Sequence, residues 1–250
     1  ILKEANYATG IFGKWHLGDN YPFRPSEQGF DESLIHLAGG IGQVGDFTNY
    51  YKGNTSYFDP ILWKNNKQNQ YKGYCSDIFA ENAIEFIEKN KNNSFFCYLS
   101  FNAPHTPLQV PEKYYNMYKD LDPELGFKGE SLALKMSKKD KEDARRIYGM
   151  VTNIDDNVGK VLNKLTELGI EEDTIIIFMT DNGPQQFRYN SNMKGLKGTV
   201  YNGGTRVPFY IKYAEKFKNS KVISRMSAHI DVLPTILELC NLKIPSDRKI

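Results

Sequence analysis

The chain has 250 residues, 40% hydrophobic and 25% charged, enough to bury the core of one large α/β domain or two small ones. Its 32 Lys and Arg against 30 Asp and Glu leave a formal charge of +2, which gives no electrostatic ground for a nucleic-acid partner. No apolar run approaches the roughly 18 residues of a membrane span, and Cys75, Cys97 and Cys240 form no close pair or CxxC that would fix a redox compartment.

The first informative stretch is Thr9-Gly10-Ile11-Phe12-Gly13-Lys14-Trp15-His16-Leu17-Gly18. It predicts a buried strand delivering a cation and an imidazole to a strand end, where open α/β sheets place their chemistry. Taken alone, the stretch fits a surface turn with a solvated Lys and a packed His equally well. Residues 21–74 are rich in Gly, Asn and aromatics, and His36-Leu37-Ala38-Gly39-Gly40-Ile41-Gly42 reads as a tight bend. Residues 46–72 carry Phe47, Tyr50, Tyr51, Tyr57, Phe58 and Trp63. So many rings argue against disorder, and a loop of this length is expected to cover a ligand cleft.

Ile78, Phe79, Ala83, Phe86 and Ile87 predict a helix over residues 74–90, and residues 95–101 read as a buried strand containing Cys97 as a small core hydrophobe. In Asn102-Ala103-Pro104-His105-Thr106-Pro107, two prolines fix the backbone around a second candidate, His105. Residues 114–135 are a polar excursion. A long helix is predicted over residues 138–168, its apolar stripe being Ile147, Met150, Val151, Ile154, Val158, Val161, Leu162, Leu165 and Leu168. Asp155 and Asp156 lie beside that stripe and read as a solvated face rather than a metal site.

Gly169 ends the helix, and the continuous β-branched run at residues 174–180 predicts a central parallel strand buried on both faces. That strand delivers Asp181-Asn182-Gly183, whose carboxylate and amide carbonyl are hard oxygens suited to Ca2+ or Mg2+; a plain Asn-Gly turn is the alternative. Residues 193–208 place Gly195, Gly198, Gly203 and Gly204 among Lys194, Lys197 and Arg206. Such a loop can bring backbone amides and a lysine to an anion, although it lacks Walker spacing. A strand over residues 207–213 and a helix after Asp231, with Pro234 in its first turn and Cys240 on its apolar side, close the chain.

Strands and helices alternate, so the expected fold is α/β with a largely parallel central sheet and helices on both faces. If the site-bearing strands are parallel neighbours, Lys14, His16, His105, Asp181, Asn182 and Lys197 share one sheet edge. Two lysines, two histidines and a divalent metal around an oxyanion suit sulfuryl or phosphoryl transfer.

Taken in order, GIFGKWHLG, APHTP, TDNGP and KGTVYNGGTRVP closely resemble the formylglycine-dependent sulfatases of the alkaline-phosphatase-like superfamily. The resemblance spans essentially the whole chain, including the long helix and the closing DVLPTILEL helix, and its flavour is that of enzymes acting on sulfated carbohydrates. It implies that Asp181 and Asn182 bind the metal, usually Ca2+, and that Lys14 and Lys197 hold the sulfate. It further implies that His105 protonates the leaving oxygen and that His16 acts on the hydrated aldehyde to expel sulfate.

The chain departs from the family pattern in one respect that touches the chemistry. None of Cys75, Cys97 and Cys240, and no suitably placed Ser, begins the C/S-x-P/A-x-R motif from which formylglycine is made. Asn202 also stands where relatives often carry Glu. The resemblance therefore implies that residues 1–250 are one sulfatase catalytic domain, incomplete at both ends. The nucleophile motif and a pair of Asp metal ligands would fall before Ile1, and a small C-terminal domain after Ile250. By itself such a chain is expected to be catalytically inert. Two other readings keep the same residues: a phosphodiester or phosphonate hydrolase of this superfamily, or a non-catalytic paralogue that binds sulfated glycans. Export to the periplasm or medium is implied by the family. The aromatic loop from Phe47 to Trp63 is expected to stack on sugar rings, with Tyr50, Tyr51 and Trp63 as the positions whose substitution tests it.

Overall fold

Ala8–Lys14 forms β1, and its run of five buried residues carries it through the middle of the sheet. The structure, a computed structural model, describes residues 1–127 and 135–243; part of the polar excursion and the stretch after residue 243 lie outside the described residues. β1 pairs in parallel with β2 (Glu32–His36) and with β5 (Phe95–Ser100), so that Gly10 stands opposite both Glu32 and Cys97. Two antiparallel strands, β3 (Ile61–Lys64) and β4 (Lys67–Gln70), extend the sheet beyond β2, giving the order β4-β3-β2-β1-β5. The parallel core matches the expected α/β class. The β3-β4 hairpin was not expected within residues 46–72; Asn65 and Asn66, at φ 47° and 67°, form its two-residue turn. Positive φ at both central positions matches the twist of the flanking strands.

Helix α1 (Cys75–Asn90) buries Ile78, Phe79, Ala83, Phe86 and Ile87 against Phe12 and Leu34 on one face of the sheet. After the short α2 (Glu112–Tyr115), α3 (Lys138–Glu167) packs on α1. Ser137 and Asp140 close a capping box at the start of α3. At its end, the Gly169 N–H bonds the Thr166 carbonyl and the Ile170 N–H the Leu165 carbonyl, with Gly169 at φ 69°. This is the left-handed C-terminal stop that the glycine predicted. Most of the expected stripe faces α1, but Val151 is exposed, and two buried amides take its place. Asn153 and Asn157 both donate to Asp77 Oδ1 of α1 at 2.7 Å. Asp155 and Asp156 sit on the solvated side, Asp156 accepting from the Tyr114 hydroxyl. On the opposite face of the sheet, Ile11, Trp15 and Ile35 pack with Phe30 and Trp63.

The strand over residues 174–180 is the main departure. It shortens to β6 (Ile176–Met179) and, among the described residues, pairs only with β7 (Phe209–Lys212), antiparallel, in a separate two-stranded sheet. Phe178 is partly exposed. An unbroken apolar run records burial but not the direction of its partner, and the strand that follows in sequence folds back beside it. Between β6 and β7 lies the short α4 (Asn202–Thr205), and α5 (Val232–Leu239) buries Leu237 near the end of the described chain.

β1 and β5 approach very closely where they end. A Cβ on Gly13, which sits at φ 130°, would stand 1.9 Å from the Ser100 carbonyl oxygen, while Ser100 Oγ donates to the Lys14 carbonyl at 2.7 Å. Gly13→Ala is expected to cost about 3 kcal/mol or more of stability through backbone strain and overlap. Urea unfolding of the variant beside the parent checks this; equal midpoints would contradict it.

Candidate active site

Lys14 leaves the end of β1, and the next residues turn away from the sheet with His16 in the left-handed region at φ 58°. A non-glycine residue held there is costly and is found where neighbours over-determine it. In this case the His16 N–H bonds the Leu37 carbonyl at 2.9 Å, and the imidazole lies against Gly39, where a Cβ would sit 2.6 Å from Nε2. Gly40 makes room for two side chains, a Cβ there coming within 2.5 Å of Gln43 Oε1 and 3.1 Å of His105 Cε1. The Gly39-Gly40 bend is thus a floor cut low enough for two histidine rings.

His105 is fixed from several sides. Its N–H bonds the Asn102 carbonyl, its carbonyl accepts from the buried Tyr57 hydroxyl at 2.7 Å, and Nδ1 donates to the Thr106 carbonyl at 2.8 Å. With the proton on Nδ1, the neutral ring keeps its Nε2 lone pair free. Burial pushes the His105 pKa down, and Lys14 and Lys197 push it further, against the Thr106 bond and the Asp181 charge. Burial likewise lowers the Lys14 pKa, with Lys197 adding repulsion and Asp181 opposing it.

Asp181, Asn182 and Lys197 arrive from beyond β6. Gly183 and Gly203 meet backbone to backbone, a Cβ on Gly183 falling 1.8 Å from the Gly203 oxygen, and the Lys197 N–H bonds the Pro184 carbonyl at 2.8 Å. The glycines of residues 193–208 therefore weld two loops together. The Gly203 and Gly204 N–H groups donate to the Lys194 and Tyr201 carbonyls and form no anion cradle, so Lys197 alone faces the pocket from this segment.

All six expected residues (Lys14, His16, His105, Asp181, Asn182 and Lys197) line one cavity of about 450 Å³, together with Gly39, Gly40, Gln43 and Val44. The last four were missed as site residues. The glycine pair was visible only as a bend, and nothing in the sequence marks Gln43, which donates to Thr106 Oγ1 at 2.6 Å and ties the floor to the His105 loop. A larger cavity of about 780 Å³, between residues 106–109, the start of α3 and residues 185–187, contains none of the six.

Asp181 and Asn182 have the donor chemistry of a hard-metal site. Asp181 Oδ1 accepts the Asn182 N–H, and the Asn182 amide donates to the Gly183 carbonyl. Asp181 Oδ2 and Asn182 Oδ1 are thereby left without a hydrogen-bond partner among the described residues. Two hard oxygens fit one side of a Ca2+ or Mg2+ shell. No group of three His, Cys, Asp or Glu that could hold a metal exists among the described residues. None of the three cysteines lines the cavity, Cys75 is wholly buried, and burial pushes the Cys97 thiol up to about 12. Neither they nor their sequence neighbours fit a formylglycine.

A family model described as Sulfatase matches residues 1–242. An uncharacterised sulfatase of Schizosaccharomyces pombe is 28% identical over 99% of this chain and 58% of its own length. The N-acetylgalactosamine-6-sulfatase of Rattus norvegicus is 29% identical over 100% of this chain and 45% of its own length. The solved structure of Ps i-CgsB with k-i-k-neocarrahexaose superposes with a TM-score of 0.80 at 31% identity, covering 98% of this chain and 53% of that one. The chain spans about half the length of these relatives. A lipoteichoic acid synthase of Listeria monocytogenes shares the fold at a TM-score of 0.61 and 17% identity. Among the described residues no helix is long and apolar enough to cross a membrane. By the match over residues 1–242, the chain belongs to the sulfatase family.

Proposed function

We propose that the full-length protein hydrolyses sulfate esters of carbohydrates, with the 450 Å³ cavity as its sulfate site. The observation that carries this reading is the convergence of Lys14, Lys197, His16, His105, Asp181 and Asn182 on that cavity from four separate chain segments. Lys14 and Lys197 bind the sulfate oxygens and offset the charge that builds on them in the transition state. An arriving anion also cancels the lysines' repulsion at His105. A proton on Nε2, disfavoured first by burial, is then held more readily and can pass to the leaving sugar oxygen. His16, at the mouth, is the base of the pair. Asp181 and Asn182 hold one side of a Ca2+ site, and the ion, when bound, supplies further positive charge to the sulfate. The nucleophile in this reading is a formylglycine, which no residue of this chain fits. As a periplasmic or secreted enzyme, the protein would meet polymeric sulfated glycans directly.

The phosphate reading is kept because the shared fold with the lipoteichoic acid synthase does not select sulfate. Assaying the full-length protein on matched aryl sulfate and aryl phosphate esters, and on a sulfated monosaccharide, separates the two. Sulfate release is expected to exceed phosphate release by at least about 100-fold in kcat/KM. A preference for the phosphate ester would sink the proposal.

A further inference from the structure

The loop between β2 and β3 lines the cavity at one end and carries unburied rings at the other. Gly39, Gly40, Gln43 and Val44 face the cavity, and the same loop then presents Phe47, Tyr50 and Tyr51, of which Phe47 is 83% and Tyr51 89% exposed. The Tyr50 and Tyr51 rings meet edge to face at 5.4 Å, and neither hydroxyl has a hydrogen-bond partner among the described residues. Their neighbours behave otherwise. Tyr57 and Tyr74 are buried and stacked, with hydroxyls bonded to the His105 and Gln109 carbonyls. Trp63 is packed between Ile11, Trp15 and Ile35 and the Arg24 guanidinium, which lies 4.9 Å over its ring. Of the rings expected to meet sugars, Trp63 is therefore packed into the fold, while Phe47, Tyr50 and Tyr51 are displayed.

This exposed group is held stiffly. Asp46 is 3% exposed and accepts from the Gly42 N–H at 2.7 Å and from Thr48 Oγ1 at 2.7 Å, while its carbonyl takes the Tyr50 N–H. Asn49 is fully buried and exchanges two hydrogen bonds with the Ile61 backbone, pinning the loop to the start of β3. Buried polar groups satisfied this fully rigidify the segment they serve. Exposed rings on a fixed segment that directly follows the cavity-lining residues 39–44, two of them in edge-to-face contact, form a surface built to contact something.

Resting on the sulfate-ester reading above, we infer that Phe47, Tyr50 and Tyr51 form a stacking platform for a sugar ring adjacent to the sulfated one. The substrate class is then a sulfated oligosaccharide or polysaccharide rather than an isolated sulfated sugar. The rings lie against the apolar face of the neighbouring sugar, and the free tyrosyl hydroxyls bond its hydroxyls. Because the loop is already ordered, little entropy is lost on binding.

The test compares the full-length parent with the Phe47→Ala/Tyr50→Ala/Tyr51→Ala variant on a sulfated neocarrahexaose and on a sulfated monosaccharide. The expected loss in kcat/KM is about 10- to 50-fold on the hexasaccharide, mostly through KM, and at least five times smaller on the monosaccharide. Equal losses on the two substrates, or none, overturn the platform; a lowered thermal midpoint with equal losses marks the rings as structural. If the parent cleaves no sulfate ester, the functional reading fails while the platform is still decided. Titration calorimetry with the same hexasaccharide then supports it if the parent binds and the variant binds at least 10-fold more weakly. It overturns it if the parent does not bind or the two bind alike.

Discussion

Lys14→Met in the full-length protein is expected to lower kcat/KM for a sulfate ester by about 10²- to 10³-fold while leaving the fold intact. The methionine keeps most of the unbranched stem, so the end of β1 stays filled, and only the charge is lost. That charge is half-buried, its pKa lowered first by burial, so it acts where solvent screens poorly. Lys197 is exposed, and Lys197→Met is expected to lose less, with a loss that shrinks as salt rises. The Lys14 variant also carries a pH signature. Lys14 repels a proton from His105, so its removal lets His105 hold that proton to higher pH. The inflection belonging to His105 in the kcat/KM profile is expected to move upward. Full activity in Lys14→Met, or an unmoved inflection beside the large loss, would show that Lys14 does not share an electrostatic site with His105.

How far the sequence reached depended on what each signal encodes. Polar residues directly after apolar runs marked Lys14, His16, His105, Asp181 and Asn182, because a strand end is where a buried segment first meets solvent and can present chemistry. The glycine stop of α3 was legible for a local reason: the left-handed cap involves only its own neighbours. Pairing was not legible. The run at residues 174–180 looked the same whether its partner was parallel or antiparallel, and the site proved to be assembled across two sheets. Gly39 and Gly40 were also opaque, since their reason is side chains (two imidazoles and Gln43) that approach only in the folded chain. The aromatic segment shows the same limit in reverse. Composition made Tyr51 and Tyr57 equivalent, and the hydrogen-bonding of Asp46, Asn49 and Gln109 decides which is displayed and which is buried.

Acid sensitivity is the second large effect, and it comes from a histidine outside the proposed chemistry. His36 is fully buried at the end of β2, in register with Lys14 and on the same face of the sheet. Its ring lies 6.4 Å from that of Phe79, and neither nitrogen has a hydrogen-bond partner among the described residues. Burial pushes its pKa down to about 3; Lys14, His105 and His16 add repulsion, and Asp46 opposes them. An unfolded histidine titrates near about 6.5. Between those values the unfolded chain binds a proton that the folded chain refuses. Stability is therefore complete above about pH 6.5 and falls as the pH drops toward 3, by about 1.4 kcal/mol per pH unit once the unfolded histidine is protonated. His105, also lowered, adds to the fall with the same sign. Depressed carboxylates such as Asp31, Glu124 and Glu171 begin to contribute, with the same sign, only below about pH 5.5, so the interval from about 6.5 to 5.5 isolates the imidazoles. Thermal midpoints are expected to drop there by roughly 3–6 °C per pH unit. His36→Phe, which places an apolar ring beside Phe79 and removes both unpartnered nitrogens, is expected to flatten that slope. An acid slope as steep in His36→Phe as in the parent would mean that His36 reaches protons or water in the folded state.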